Sequence, residues 1–141
     1  MLGGVAVPWH QGLAGHSDAD VLTHAVMDAL LGASGLGEDI GSLFPDTDPA
    51  YAGVSSVALL TEVVARLAQA GWRVGNVDVV VVCEQPQLSE HRATMRQVLG
   101  MALNVDESAV GIKATTTEGM GFEGRGEGIS ATAVCLLEAL G

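Results

Sequence analysis

The run from Val77 to Cys83 constrains the fold more than any other segment, because almost every residue in it is β-branched. Such a run is typical of a strand that is buried on both faces of a sheet. Ala109 to Ala114 and Ile129 to Leu137 also favour strands, although the second of these segments could form a helix instead. Leu2 to Val7 alternates weakly and stops at Pro8, which predicts a short edge strand.

Amphipathic segments separate these strands and predict three helices. The first begins at Ser17, which can cap it, and Asp20 three residues later completes a capping-box pattern. Its apolar residues recur at helical spacing until a cluster of glycines that begins at Gly32 ends it. Ser55 to Ala70 and Glu90 to Leu103 predict the other two helices. Strands that alternate with helices predict an α+β or α/β sandwich, in which helices cover one face of a sheet.

The balance of charge excludes two classes of partner. Seventeen acidic residues oppose six basic ones, which gives a formal net charge of −11 at pH 7. Such a surface repels nucleic acids and anionic membranes, and no apolar run reaches the roughly 18 residues that a membrane span needs. Cys83 and Cys135 both lie in apolar runs, which is typical of small buried side chains in a reducing compartment, so we expect a cytoplasmic protein. An anionic ligand would need metal ions or a concentrated basic site.

The segment from Gly15 to His24 carries two histidines around the start of the first predicted helix. His24 shares a helix face with Asp20 and Asp28, and a carboxylate one turn away can orient a metal-bound imidazole. The alternative for His24 is a histidine whose hydrogen bonds are satisfied in the core. His16 precedes the helix, where unpaired N–H groups favour an anion, although a surface histidine is an equal alternative.

Residues 37–53 form a long polar segment, and such segments in a compact domain are usually functional or disordered. Pro45 and Pro49 predict that it has no regular secondary structure. Residues 46–48 (Asp-Thr-Asp) could form an ordinary Asx turn. Phe44 favours a binding role instead, because a large apolar side chain is unusual in so polar a loop.

The segment from Lys113 to Gly128 concentrates features that bind anions. Three consecutive threonines, residues 115–117, end the predicted strand and offer hydroxyl and backbone N–H donors to phosphate oxygens. Glu118 could hold a hard cation such as Mg²⁺, and Arg125 could pair with a phosphate or a carboxylate. The alternative is a glycine-rich β-turn with exposed polar residues.

These three segments, together with Gly75-Asn76-Val77-Asp78, closely resemble the 2-C-methyl-D-erythritol 2,4-cyclodiphosphate synthase family over essentially the whole chain. The resemblance implies a ferredoxin-like α+β fold with one mixed sheet, and a homotrimer with sites between neighbouring subunits. It also implies a lyase of non-mevalonate isoprenoid biosynthesis. The 2-phosphate of 4-diphosphocytidyl-2-C-methyl-D-erythritol 2-phosphate attacks the β-phosphorus, CMP leaves, and a cyclic diphosphate forms. Because a phosphate monoester is already anionic near neutral pH, with a second pKa of about 6, the reaction needs no general base.

The resemblance also implies roles for individual residues. His24 is expected to bind zinc or a similar divalent cation, and Glu118 a second cation, Mg²⁺ or Mn²⁺. His16 and Thr116 are expected to stabilise the transition state. The ligand is expected to be a cytidine diphosphate-linked small molecule. Its expected contacts, in chain order, are His16, Ser17, Asp39, Ile40, Gly41, Phe44, Pro45, Asp46, Thr47, Asp48, Cys83, Glu84, Gln85, Pro86, Gln87, Leu88, Ser89, Thr115, Thr116, Thr117, Glu118, Phe122 and Arg125.

One part of the family's pattern is missing. The family carries an Asp-x-His pair on an N-terminal strand, which completes the zinc site with the helix histidine, and this chain contains no Asp-x-His. One protein ligand cannot hold zinc as three do. We therefore expect residues 1–141 to be one synthase domain without its first strand, either because the recorded start lies downstream of the true one or because the chain is a truncated, inactive relative. Two other hypotheses stay open. One is a non-catalytic trimeric module that binds cytidine nucleotides or isoprenoid intermediates, and the other is the C-terminal half of a fused bifunctional enzyme.

Overall fold

The computed structural model describes residues 1–7, 20–45, 47–51, 53–84, 88–126 and 128–141. In these residues the helices are α1 (Val21–Ser34), α2 (Ile40–Leu43), α3 (Ser56–Gln69), α4 (Arg92–Leu103) and α5 (Gly121–Gly124), and the strands are β1 (Trp72–Val82), β2 (Val110–Thr115) and β3 (Ser130–Ala139). Short 3₁₀ turns lie at Pro49–Tyr51 and Glu107–Ala109. None of the helices in the described ranges is long and apolar enough to cross a membrane.

The strands form one mixed sheet in the order β2–β1–β3. β1 runs parallel to β2, where Val77 pairs with Val110, and antiparallel to β3, where Val79 pairs with Ala133. The two strands predicted after Val77–Cys83 are confirmed, with their ends shifted by one or two residues, and the helix alternative for the last segment is wrong. The prediction of an α+β fold with one mixed sheet is therefore confirmed.

Helices α1, α3 and α4 pack on one face of the sheet and leave the other face more open. On β1, Val77, Val79 and Val81 are buried, whereas the alternate residues Val80 and Val82 are only partly buried. The prediction of a strand buried on both faces is therefore wrong for this single chain, because its helices form one layer. Each buried valine on the covered face stabilises the fold by about 1.5–3 kcal/mol relative to an exposed one.

The N-terminal residues form a tight turn, so the predicted edge strand is wrong. Leu2 and Val5 make an isolated antiparallel bridge, and Gly3 and Gly4 between them have φ angles of 55° and 76°. Both glycine N–H groups donate to the Asp20 carboxylate, at 2.9 and 2.8 Å. These hydrogen bonds satisfy the two N–H groups that the turn leaves unpaired, which sequence alternation cannot reveal.

Asp20 is also the N-cap of α1, so the prediction that Ser17 caps this helix is wrong. The Asp20 carboxylate accepts the Thr23 N–H, and the helix begins at Val21. At the other end Gly32 lies inside the helix, and Gly35 ends it in the left-handed conformation with φ 70°. The capping-box pattern failed because the carboxylate that was assigned to the third helical position is itself the cap.

The 37–53 segment contains regular structure, contrary to the prediction from its prolines. Asp39 accepts the Ser42 N–H at 2.8 Å, and Ser42 Oγ accepts the Asp39 N–H, which is a capping box that starts α2. A 3₁₀ turn then begins at Pro49, where proline's fixed φ is compatible with a helical first turn. The two prolines therefore lie after α2 and at the start of the 3₁₀ turn, where neither removes a helical hydrogen bond.

The remaining predicted helices are confirmed. Ser55 caps α3 by accepting the Ala58 N–H at 3.1 Å, and the chain turns at Gly71 with φ 90° after the helix ends. α4 begins at Arg92, two residues later than predicted, and ends where Asn104 adopts the left-handed conformation. α4 and β2 lie next to each other, which brings the start of α4 near the carboxyl ends of β1 and β2.

Candidate active site

A cavity of about 230 Å³ opens at the carboxyl ends of β1 and β2. The two strands are parallel and pair Val82 with Thr115, so they end at the same edge of the sheet. The Cys83 N–H donates to the Thr115 carbonyl oxygen at 3.0 Å, which extends the pairing beyond β1. The described residues that line the cavity are Cys83, Glu84, Leu88, Ser89, Arg92, Ala114, Thr115 and Thr116. Two segments that were predicted separately, the one after β1 and the threonines after β2, therefore meet in one cavity.

Glu84 connects these two segments. Its Oε1 atom accepts the N–H groups of Thr117 at 3.1 Å and Gly119 at 3.2 Å, and the Thr117 hydroxyl lies 3.5 Å away. The Thr117 hydroxyl also hydrogen-bonds to the Met120 carbonyl oxygen. Backbone donors that the sequence suggested for phosphate are thus occupied by a carboxylate of the same chain.

Thr116 and Glu118 remain exposed at this turn. Thr116 Oγ accepts the Glu118 N–H at 3.3 Å, so the hydroxyl proton of Thr116 is available to another acceptor. Glu118 has φ 58°, which is uncommon for a residue with a side chain, and it is followed by Gly119 with φ 80°. The turn therefore presents one hydroxyl donor and one carboxylate beside the cavity.

Arg92 is a residue of this cavity that the sequence prediction missed. It is the one basic side chain among the described residues that line the cavity, and it is the first residue of α4. No ion pair or hydrogen bond of its side chain occurs within the described ranges. Its position nine residues after Cys83, inside a predicted helix, gave no sign that it would face the same cavity as the threonines.

The Cys83 thiol lines the cavity without being reactive. Its side chain is buried, and burial raises the pKa of the thiol, with the neighbouring negative charge of Glu84 raising it further. A thiol with a raised pKa is protonated at neutral pH and is a poor nucleophile. Cys83 therefore shapes the cavity, and neither cysteine forms a disulfide bond.

His24 lies apart from this cavity, on α1. Its Nε2 atom is 3.0 Å from Ser56 Oγ at the start of α3, and its side chain is partly buried. This contact fits the alternative of a satisfied histidine, and it also orients the ring. His24 was predicted as a metal ligand, and the contact with Ser56 leaves Nδ1 as the ring nitrogen without a partner in the described ranges.

The Asp28 carboxylate lies near His24. Burial raises the pKa of Asp28, the positive charge of protonated His24 lowers it, and the negative charge of Asp39 raises it. Asp39 therefore lies close enough to Asp28 on α1 to interact with it, although it belongs to the loop segment. Ile40 and Gly41 follow it in the first turn of α2.

The described residues do not complete a three-ligand metal site. Among them no group of three or more His, Cys, Asp or Glu side chains is close enough to hold a metal ion. His24 alone does not fit a structural or catalytic zinc site, which needs three or four protein ligands. Glu118 fits a different kind of site, because Mg²⁺ is commonly held by one or two carboxylates together with the phosphates of a substrate.

The predicted substrate loop is anchored in the core. Phe44 is 4% exposed, and its ring packs edge-on against Tyr51 at 5.1 Å between centroids. The guanidinium carbon of Arg66 lies 6.0 Å from the centre of the Phe44 ring. Asp48 accepts the Ala50 N–H at 2.9 Å, which is an Asx turn that begins at the last residue of the 46–48 segment. Buried Phe44 holds this loop in place, with Pro45 partly buried and Thr47 exposed after it.

Phe122 and Arg125 lie on and just after α5, and they are not among the described residues that line the cavity. Phe122 is 45% exposed and packs against Gly128, where a Cβ atom would lie 3.1 Å from its ring. Six predicted site residues lie outside the described residues: His16, Ser17, Asp46, Gln85, Pro86 and Gln87.

Comparison with known proteins identifies the family. The sequence model of the YgbB family matches residues 1–138. A 2-C-methyl-D-erythritol 2,4-cyclodiphosphate synthase from Rubrobacter xylanophilus is 58% identical over 138 residues, which are 98% of this chain and 82% of the relative.

Solved structures agree with this match. A 2C-methyl-D-erythritol-2,4-cyclodiphosphate synthase in its CDP-bound form is 35% identical with a TM-score of 0.88, and the match covers 98% of this chain and 89% of that one. The bifunctional IspDF from Campylobacter jejuni is 39% identical with a TM-score of 0.92, and the match covers 99% of this chain but 37% of that longer one. The resemblance that the motifs predicted is confirmed, and this chain belongs to the YgbB family together with the 2-C-methyl-D-erythritol 2,4-cyclodiphosphate synthases.

Proposed function

We propose that this chain converts 4-diphosphocytidyl-2-C-methyl-D-erythritol 2-phosphate to 2-C-methyl-D-erythritol 2,4-cyclodiphosphate and releases CMP. The observation that carries the proposal is the cavity in which Cys83, Glu84, Leu88 and Ser89 meet Thr115 and Thr116. One side of that cavity comes from the Lys113–Gly128 segment, which carries part of the family resemblance, and the other side comes from the segment that the resemblance assigned to the substrate. The relatives that carry the synthase name match nearly the whole chain.

The cavity suits one end of such a substrate. Its volume of about 230 Å³ is below the roughly 300–1,000 Å³ of pockets that enclose a whole small-molecule ligand. We assign it to the cytidine end, which leaves the diphosphate at the exposed Thr116 and Glu118. A structure similar to this one is of a synthase in a CDP-bound form, which supports a cytidine nucleotide as the ligand.

The turn after β2 supplies the groups that meet the phosphates. The hydroxyl proton of Thr116 is free to donate, because its oxygen already accepts the Glu118 N–H. Glu118 would hold a divalent cation, Mg²⁺ or Mn²⁺, together with the diphosphate, and the cation would supply positive charge to the oxygens of the attacked phosphate. This neutralisation matters in a chain of net charge −11, which repels a polyanion at long range.

The chemistry needs no proton-abstracting side chain. The attacking phosphate is largely ionised near neutral pH, since its second pKa is about 6. The Cys83 thiol beside the cavity has a raised pKa and does not compete as a nucleophile. The protein's contribution is then to position the two phosphates in line and to stabilise their charge.

His24 is proposed as one ligand of zinc or a similar divalent cation. Its ring is oriented by Ser56, and Asp28 lies one helical turn away. The described residues supply no second and third ligand with it, so no step of the reaction is assigned to that metal. Zinc content of the purified chain, measured by mass spectrometry of the metal, tests this assignment.

We also propose that the chain assembles as a homotrimer. The open face of the sheet carries Val134 and Leu136 on β3, which are 63% and 60% exposed. Beside them the Lys113 ammonium pairs with Asp78 at 2.6 Å, so the same face carries charge as well as apolar surface. Contact with other copies would cover these apolar side chains, which a single layer of helices leaves in water.

Turnover of the substrate tests the proposed function. The purified chain is incubated with the diphosphocytidyl substrate and Mg²⁺, and products are followed by ³¹P NMR and by chromatography of CMP. We expect CMP and the cyclic diphosphate to appear in equal amounts, and both to be lost when EDTA removes the cation. Tight binding of CDP with no release of CMP would instead support the non-catalytic module that the incomplete metal site suggests.

A further inference from the structure

The contact between Glu84 and the turn after β2 has the geometry of an occupied anion site. The N–H groups of Thr117 and Gly119 both point at one carboxylate oxygen of Glu84, at 3.1 and 3.2 Å. The residue between them, Glu118, has a positive φ of 58°, and Gly119 follows at 80°. Successive backbone N–H groups in a turn that contains a left-handed residue can point to one side and form a concavity that binds anions. Here the anion is a side chain of the same protein.

The contact also compensates for an unfavourable backbone. A residue with a side chain at positive φ persists only where surrounding structure holds it there. Hydrogen bonds between backbone N–H groups and an ionised carboxylate are stronger than those between neutral groups. Glu84 is partly buried and lies two residues after the end of β1, next to Cys83, whose N–H donates to the Thr115 carbonyl oxygen, so the sheet holds Glu84 in place while the turn is exposed. In this contact Glu84 is therefore the fixed side, and the exposed turn is the side that it holds in place.

The turn carries the two groups that the proposed reaction needs. Glu118 lies between the two bonded N–H groups, and its own N–H donates to Thr116 Oγ at 3.3 Å. A shift of the turn would therefore move the carboxylate and reorient the hydroxyl together. The N–H groups of Thr117 and Gly119 are already used, so Thr116 and Glu118 are the groups that this turn offers to the phosphates.

We infer that Glu84 is a positioning residue, which fixes the Thr116–Gly119 turn so that Thr116 and Glu118 meet the diphosphate and its cation in the reactive arrangement. This inference rests on the proposed function. It gives Glu84 a role different from the substrate contact that the family resemblance implied for it. Glu84 acts on the reaction through the turn. Its loss should therefore lower kcat more than it weakens binding of the nucleotide.

Three variants separate this role from its alternatives. Glu84→Ala removes the acceptor, Glu84→Gln keeps a carbonyl oxygen in its place, and Glu62→Ala is the control, because Glu62 is exposed on α3 and pairs only with Arg66 among the described residues. kcat and KM are measured for each, and amide hydrogen exchange of Thr117 and Gly119 is measured by NMR. If Glu84→Ala fails to fold, Glu84→Asp replaces it, since it keeps the charge but shortens the side chain.

For Glu84→Ala we expect kcat to fall by about 100-fold, the scale of a misplaced catalytic group, while KM changes by less than about threefold. Exchange of the Thr117 and Gly119 amides should become faster. Glu84→Gln should restore slow exchange and most of kcat, and Glu62→Ala should match the unchanged chain.

Unchanged kcat in Glu84→Ala, or a loss confined to KM, would overturn the inference, because the second result identifies a nucleotide contact. If the unchanged chain itself releases no CMP, the proposed function has failed. The amide exchange rates of Thr117 and Gly119 then decide on their own whether Glu84 positions the turn. Faster exchange in Glu84→Ala but not in Glu84→Gln then supports the positioning role, and equal exchange in all variants overturns it.

Discussion

The Asp20 carboxylate accepts four hydrogen bonds from residues that the structure describes, although its side chain is fully buried. The donors are the N–H groups of Gly3, Gly4 and Thr23 and the Thr23 hydroxyl, at 2.8 to 3.0 Å. A buried charge is tolerated only when it is hydrogen-bonded in this way. Asp20 thereby ties the N-terminal turn to the start of α1, and His24 lies one turn along the same helix.

Replacing Asp20 by alanine should therefore destabilise the fold strongly. The change leaves buried N–H groups without an acceptor and removes the cap of α1, so we expect a loss of about 3–5 kcal/mol in the free energy of unfolding. Urea denaturation followed by circular dichroism measures this loss. Asp106→Ala is the control, because Asp106 caps the Glu107–Ala109 turn from an exposed position and its loss should cost much less. Equal losses for the two variants would contradict the role of Asp20.

The Cys83 thiol gives a prediction about pH. Burial raises its pKa above the ordinary 9.0, so near pH 9 the folded chain keeps a proton that the unfolded chain releases. The stabilising contribution of the thiol is then fully present below pH 9.0 and is lost as pH rises through the folded pKa. The difference in urea midpoint between the unchanged chain and Cys83→Ala should accordingly shrink above pH 9, and a difference that stays constant to pH 11 would count against a buried, protonated thiol.

At the scale of elements, α5 packs so closely on the turn after β2 that only glycine fits between them. A Cβ atom on Gly124 would lie 2.6 Å from Thr117 Oγ1 and would also clash with the backbone of Gly119. The Gly124 N–H donates to the Met120 carbonyl oxygen at 3.1 Å within α5, and the Thr117 hydroxyl donates to the same oxygen, which ties the turn to the start of α5. α5 therefore supports, from the other side, the same turn that Glu84 holds.

Gly124→Ala should lower activity with less effect on stability. The added methyl group displaces a turn that is exposed and contributes little to the core, so we expect kcat to fall by about 10–100-fold and the melting temperature to change by a few degrees. Gly32→Ala is a matched control, because a Cβ atom there has no neighbour within 4 Å among the described residues, and alanine should stabilise the exposed position of α1 slightly. Full activity in Gly124→Ala would show that the turn has room to move.

The sequence predicts those elements whose signals are local. The amphipathic segment from Ser55 to Ala70 forms α3 within one residue at each end, and the valines of β1 form the central strand. The features that were missed depend on long-range contacts. The carboxylate of Asp20, which caps α1, also accepts a hydrogen bond from a turn residue 17 positions earlier. The Glu84 carboxylate accepts one from a turn residue 33 positions later. Spacing along the chain cannot reveal such pairs, because they form only when the sheet brings their segments together.

The same reasoning applies to the candidate site. The family resemblance implied that Cys83–Ser89 and the threonines belong to the site. The parallel pairing of β1 with β2 explains why Cys83 and Glu84 share a cavity with Thr115 and Thr116. Arg92 was missed because it belongs to no motif in the sequence. It faces the cavity only because α4 packs beside β2. Phe44 was interpreted from its polar surroundings in sequence, whereas its neighbours in space are Tyr51 and Arg66.

At the scale of the whole molecule, the uneven covering of the sheet predicts association. Leu136→Asp places a charge on the open face beside Val134, so we expect a trimer to dissociate into folded monomers. Light scattering coupled to size-exclusion chromatography measures the mass. Met101→Asp is the control, since Met101 is 84% exposed on α4 and lies away from the sheet face. A mass that is unchanged by Leu136→Asp but altered by Met101→Asp would assign association to the helical side instead.

The central claim is that the edge where β1 and β2 end binds a cytidine nucleotide and that Glu118 holds the cation. A crystal structure of the chain with CDP and Mn²⁺, with the metal located by its anomalous scattering, tests both parts at once. We predict that the cytosine lies against the Cys83–Ser89 segment, that a diphosphate oxygen lies within hydrogen-bonding distance of the Thr116 hydroxyl, and that the manganese peak lies at the Glu118 carboxylate. CDP bound elsewhere, or manganese remote from Glu118 while the nucleotide is in place, would contradict the account.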